Sequence, residues 1–111
     1  MSSSKKKESE GKIQLDILKY LRKENVMCWR QGNHALYDTK TNTYRENPYA
    51  MRGVPDIICI LEEGTFCGIE VKTKTGRQSA DQKFFEKRCD SRGALYHVVR
   101  SLEDVKKLGL K

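Results

Sequence analysis

Residues 52–73, from Arg52 to Thr73, read R-G-V-P-D-I-I-C-I-L-E-E-G-T-F-C-G-I-E-V-K-T. This stretch folds on paper into two neighbouring strands. Asp56 to Leu61 is β-branched and apolar after its first residue, and Thr65 to Thr73 is a second strand-like run. Glu62-Glu63-Gly64 stands between them and fits a three-residue hairpin loop with Gly64 in the left-handed position. That loop sets Leu61 opposite Thr65. The antiparallel register then sets Cys59 opposite Cys67 and Asp56 opposite Glu70. Side chains alternate faces along a strand, so Asp56, Glu70 and Lys72 share one face. Directly opposed residues have Cβ atoms about 5 Å apart. Two carboxylates that close repel unless something positive lies between them. A divalent cation is the natural candidate, because hard cations take carboxylate oxygens.

Each of these residues also has a plain reading. Asp56 follows Pro55, and Pro-Asp is a common turn dipeptide. Glu70 tips the balance, because it stands between Ile69 and Val71 in an apolar strand, where an unpaired carboxylate is costly. Lys72 can serve as a structural ion-pair partner, but two acids and a lysine on one face fit a metal site better than a bare pair. The middle of the first strand has no polar side, so it is buried on both faces. The expectation is an α/β fold with a mixed central β-sheet flanked by helices. The carboxylates would lie at a strand end, where the sheet opens to solvent.

Within the hairpin and on either side of it, six short elements fall in order. These are Glu10-Gly11-Lys12-Ile13-Gln14, Trp29-Arg30, Gly53-Val54-Pro55-Asp56, Glu70-Val71-Lys72, Ser79-Ala80-Asp81-Gln82 and Val98-Val99-Arg100. Together they resemble the VRR-NUC family of the PD-(D/E)xK nuclease superfamily. That family's pattern is a helix opening E-x-x-I-Q, a strand ending W-R, then G-x-P-D, E-x-K, S-x-x-Q and a late V-V-R. A lone E-x-K carries little, whereas the ordered set spanning residues 8–105 is specific. The resemblance implies a restriction-endonuclease-like core and metal-dependent hydrolysis of DNA phosphodiesters, leaving 5′-phosphate and 3′-hydroxyl ends. It implies Mg²⁺ (or Mn²⁺) held by Asp56, Glu70, the backbone carbonyl of Val71 and Glu10. Lys72 would orient or deprotonate the attacking water, and Gln82 would stand near the active site. Short stand-alone members, found in phages, are similar to Holliday-junction resolvases and act as dimers. The expected partner is therefore a four-way junction or other branched DNA, and the expected state a homodimer. Flap or nicked DNA is the alternative substrate. A non-catalytic DNA-binding protein on a nuclease fold is the alternative class.

Read without the family, Glu10 is an acid in a helical first turn, favoured there by the helix dipole. Ser79-x-x-Gln82 is a capping box, and one glutamine can fill both roles. Arg30, His34, Lys74 and Arg77 are candidate phosphate contacts, against the plain reading of a solvated basic face. Arg77, beside Gly76, is the strongest of the four. His97 reads as a hydrogen-bonded bystander, Tyr96 as packing and Trp29 as core.

The 111 residues make one domain, with residues 1–8 expected as a disordered basic arm and 9–111 as the nuclease domain. A net charge of +7 favours a polyanionic partner. The longest apolar run, Ile57 to Leu61, is far too short to cross a bilayer. The basic N-terminus has no apolar stretch after it, so the expected location is cytoplasmic. Cys28, Cys59, Cys67 and Cys89 include no C-x-x-C pair, so zinc is not expected and buried reduced thiols are. A helix is predicted from Ser9 to Glu24, carrying Ile13, Ile17, Leu18 and Leu21 as its apolar stripe. Asn25 stops it, and Val26 to Arg30 is a strand. Residues 31–52 are a long polar segment with room for a small hairpin around Asp38 to Tyr44. A second helix runs from Ala80 to Ser91, with Phe84, Phe85 and Cys89 as its buried face and Gly93 as its stop. Ala94 to Arg100 is a strand, and Ser101 caps a last helix through Leu108.

Overall fold

A computed structural model describes residues 9–32, 36–45 and 49–111. The N-terminal arm expected at residues 1–8 and His34 lie outside these. Helix α1 spans Glu10–Lys23 and buries Ile13, Ile17 and Leu21, one residue per turn on a single stripe. Asn25 takes a left-handed backbone (φ 63°) just past it, which turns the chain into β1, Met27–Arg30. Strands β2 (Leu36–Asp38) and β3 (Thr43–Arg45) pair antiparallel as a separate small hairpin, the one the polar segment leaves room for. Strand β4 (Ile57–Ile60), strand β5 (Phe66–Val71), helix α2 (Ala80–Ser91), strand β6 (Leu95–Val99) and helix α3 (Leu102–Leu108) follow. Each helix opens on a serine, Ser9, Ser79 or Ser101, whose side chain accepts a backbone N–H three residues on.

The main sheet has the order β1-β4-β5-β6. Its first three strands are antiparallel, and β6 joins β5 in parallel, with α2 as the crossover. Cys59 stands opposite Cys67 and Ile57 opposite Ile69, the register read from the hairpin loop. The period of 2 then sorts the sheet into two faces. Cys28, Ile57, Cys59, Cys67, Ile69, Val71 and Val99 form the core with Ile13, Ile17 and Leu21 of α1 and Val105 of α3. Ile58, Gly68, Glu70 and Tyr96 fall on the other face, where α2 packs through the Phe85 ring, 6.1 Å from that of Tyr96. Helices therefore cover both faces of a mixed sheet, and all four cysteines are buried free thiols.

Two local expectations need correction. The β4–β5 loop is a one-turn 3₁₀ helix at Glu62–Gly64 that uses two left-handed residues, Glu63 (φ 67°) as well as Gly64 (φ 78°). On α2, Phe84 is 54% exposed rather than buried. Adjacent residues on a helix point about 100° apart, so Phe84 and Phe85 cannot both face the sheet. Phe85 and Cys89, four apart, take the inner side. Among the described residues no helix is long and apolar enough to cross a membrane.

Candidate metal and nucleic-acid site

The G-x-P-D sequence carries its aspartate across the sheet by three contacts in a row. Gly53 has φ +77°, and a Cβ on it would lie 2.3 Å from the Asp81 carbonyl, so only glycine passes this close to the first turn of α2. Pro55 is fully buried against Gly68 of β5, where a Cβ would lie 2.5 Å from the proline ring. Asp56 then extends the β1–β4 ladder by one step, its carbonyl accepting the Gln31 N–H at 2.7 Å. Its Oδ2 accepts the Val71 N–H, also at 2.7 Å. The Asp56 side chain thus fastens the mouth of the hairpin. Lys72 donates its N–H to the Val99 carbonyl on the β6 side. Alternation along the ladder turns the N–H and C=O of Val71 the other way, toward Asp56.

Glu70 is the one buried charged residue among those described, 2% exposed. Its Oε2 lies 3.6 Å from the Lys72 ammonium, and its Oε1 is buried with no hydrogen-bond partner. Burial pushes its pKa up to about 8; a proton shared with Asp56, the Asp56 charge and the more distant Glu10 add to this, and Lys72 opposes it. One lysine is not enough to balance two facing carboxylates in a dry setting. The place calls for more positive charge. Among the described residues no three Asp, Glu, His or Cys side chains converge enough to hold an ion by themselves. Two carboxylates and a main-chain carbonyl nonetheless suit a hard cation that keeps part of its water shell. Glu10 lies half-buried in the first turn of α1. Arg30 ties that turn to the same end of the sheet, its guanidinium reaching the Gly11 carbonyl at 3.5 Å.

Of the remaining expected site residues, Gln82 forms the capping box in full. Its Oε1 accepts the Ser79 N–H at 2.8 Å, and Ser79 Oγ accepts the Gln82 N–H at 3.2 Å. Its main chain abuts Gly53, so the cap also supports the segment that delivers Asp56. Lys74 and Arg77 are exposed on the turn that follows Lys72. Arg100 holds that turn, donating to the carbonyls of Thr73 at 2.5 Å and Gly76 at 2.7 Å. This links the late V-V-R to the strand end, a tertiary contact with no local signal in the sequence. Tyr96 was also read only as packing. Its hydroxyl is buried without a hydrogen-bond partner on the same face as Glu70, and the Gln78 side chain approaches it without completing a bond. Burial raises its pKa.

No protein-family model and no curated protein matches the sequence. Among solved structures, a VRR_NUC domain superposes with a TM-score of 0.66 at 23% identity, covering 89% of this chain and 91% of that one. The chain thus has the fold of a VRR_NUC domain, an α/β, restriction-endonuclease-like core.

Proposed function

We propose that this chain is a metal-dependent nuclease of the VRR-NUC family that hydrolyses phosphodiester bonds of DNA. The observation that carries the reading is Glu70, a buried carboxylate with an unpartnered oxygen beside Asp56 and Lys72 at the open end of a hairpin. A buried acid held this way is poorly stabilised by the protein alone and well placed to ligate a cation. Asp56 and Glu70, with the Val71 carbonyl and Glu10, hold Mg²⁺ or Mn²⁺. When bound, the cation supplies Lewis-acid polarisation of the phosphoryl group and a more acidic water. Lys72, as an ammonium, orients the attacking water and balances charge that develops on the phosphate. The Val71 N–H keeps the Asp56 carboxylate turned toward the site.

The charge of +7 and the exposed Lys74 and Arg77 beside the site favour a polyanion. The basic turn stands directly beside the carboxylates, so DNA contacts and cleavage chemistry share one end of the sheet. Recognition of DNA structure is therefore the reading we adopt, with four-way junctions as the leading substrate and flaps as the alternative. Paired cuts in a junction need paired sites, which a two-fold dimer supplies. The test is incubation of purified protein with four-way junction, flap and linear duplex DNA, with Mg²⁺ or with EDTA. Cleavage should require the metal. Lys72→Ala and Asp56→Asn should abolish it while leaving DNA affinity largely intact, since other basic residues carry most phosphate contacts. Wild-type-like cutting by either variant sinks the assignment. DNA binding without metal-dependent cutting supports the non-catalytic class instead.

A further inference from the structure

On the far side of the Gly53–Pro55 segment, on the sheet face that carries Glu70, the chain opens a second cleft. It has a volume of about 170 Å³ and lies between Met51 and Arg52 on one wall and Asp81, Phe84, Phe85 and Arg88 of α2 on the other. Its composition is unusual for a surface. Phe84 is 54% and Met51 50% exposed, and Tyr49, just before the cleft, is 94% exposed. The Arg88 guanidinium carbon lies 5.9 Å from the centre of the Phe84 ring. The α2 crossover does not need Phe84, because Phe85 and Cys89 already face the sheet.

Resting on the nuclease reading above, we infer that this cleft receives an unpaired nucleobase of the DNA substrate, stacked on Phe84, beside the bond to be cut. A half-exposed aromatic ring beside an arginine is a platform for a planar base, and every base offers a π-face to it. Arg52 and Arg88 supply the positive charge that a base's attached phosphate meets. Asp81, exposed on the cleft wall, offers an acceptor for a base amino group and would repel a bare phosphate, so that wall favours a base over the backbone. The position fits as well: Asp56 lies four residues beyond Arg52, and Gly53 abuts Asp81 and Gln82. The segment Gly53–Pro55 thus joins the wall of the cleft to the strand end that carries Asp56. The preferred substrate class is then DNA with unpaired nucleotides flanking the cut, such as a flap, a bubble or an opened branch point, rather than continuous duplex.

The experiment uses the full chain in EDTA, so that nothing is cut. Its probes are a blunt duplex, the same duplex with a short single-stranded DNA extension carrying 2-aminopurine, and the same duplex with an RNA extension of equal length. The wild type should bind the tailed DNA more tightly and change the 2-aminopurine fluorescence as the base stacks. Phe84→Ala should reduce the tailed-over-blunt preference about tenfold, the scale of losing one base–aromatic stack. Phe84→Leu, which keeps apolar area but has no π-face, should lose most of it too. The preference should survive added salt better than total affinity, because stacking does not depend on counterion release. A circular-dichroism melt checks that each variant stays folded. Equal binding of blunt and tailed DNA by the wild type overturns the inference and leaves the nuclease reading intact. So does a preference unchanged in Phe84→Ala. Tighter binding of a single-stranded RNA tail than of the DNA tail overturns DNA as the occupant. Failure to bind any of these probes removes the nuclease reading as well.

Discussion

Glu70 concentrates the electrostatics of the site in one side chain. Its pKa of about 8 stands well above its ordinary 4.5. Between those two values the folded chain holds a proton at Glu70 that the unfolded chain releases. Its contribution therefore favours folding most below about pH 4.5 and is lost as pH rises through about 8. In EDTA, the melting temperature should fall from about pH 5 to about pH 8, and Glu70→Gln should flatten that fall. Adding Mg²⁺ at the upper pH should raise the melting temperature of the wild type and leave Glu70→Gln nearly unmoved, by linkage to a ligand that binds only the folded state. No change with Mg²⁺ in the wild type would remove the cation from the site without reference to catalysis. Tyr96 makes a matched control on the same face. Its hydroxyl is buried without a partner, so Tyr96→Phe should leave the metal-free protein equally or slightly more stable, by up to about 1 kcal/mol.

The α1 and α2 helices reach the site through their first turns, in different ways. Gln82 works through a cap, so Gln82→Ala should lower stability by about 1 kcal/mol in a denaturant titration. A much larger loss of cleavage than of stability would show that the glutamine also touches substrate. Glu10 makes no such cap bond. Glu10→Gln should lower cleavage by at least about 10²-fold if its carboxylate completes the cation site, and only a few-fold if the dipole of α1 is all it serves. The elements themselves were legible where the signal was local. Period-2 alternation and a short loop fixed the β4–β5 register through Cys59 and Cys67, and Ser79 and Ser101 marked the starts of α2 and α3. Phe84 was misread because two adjacent phenylalanines look equally apolar in a sequence, and only packing decides which turns inward. Glu63 was missed because glycine so readily explains a left-handed turn that a second such residue leaves no trace. The links from Arg100 to the 73–76 turn and from Pro55 to Gly68 join segments far apart in the chain, where no periodicity points.

At the scale of the whole chain, the sheet places its acids, its lysine and its basic turn at one end, while the β4–β5 loop lies at the other. A two-fold dimer would set two such ends on one continuous basic surface through Lys74, Arg77 and their symmetry mates. Sedimentation of the free protein should then give a dimer at micromolar concentration. Affinity for a four-way junction should exceed that for linear duplex of equal length and fall steeply with salt, because many phosphates are neutralised together. Cuts should map to symmetric positions on opposing strands. A strict monomer that cuts flaps as well as junctions would keep the nuclease chemistry and remove the resolvase reading. The sequence announced the charge and the hairpin plainly, but self-association is decided by the shape of a surface, which no window of residues encodes.

The separation of the carboxylates from their own hairpin loop has a kinetic corollary. Contacts near Glu62–Gly64 close the shortest loops and are the cheapest to form first. Asp56 and Glu70 sit at the opposite end of the two strands, where the ladder zips last. Their mutual repulsion is then absent from the folding transition state and arrives only as the native structure completes. Glu70→Gln in metal-free buffer near pH 8 should therefore slow unfolding while leaving the refolding rate almost unchanged, a φ-value near zero by stopped-flow. Equal shifts in both rates would place the mouth of the hairpin inside the folding nucleus. On this account the chain can carry a repulsive pair of acids without slowing its search for the fold, and the penalty falls instead on how long the metal-free native state lasts.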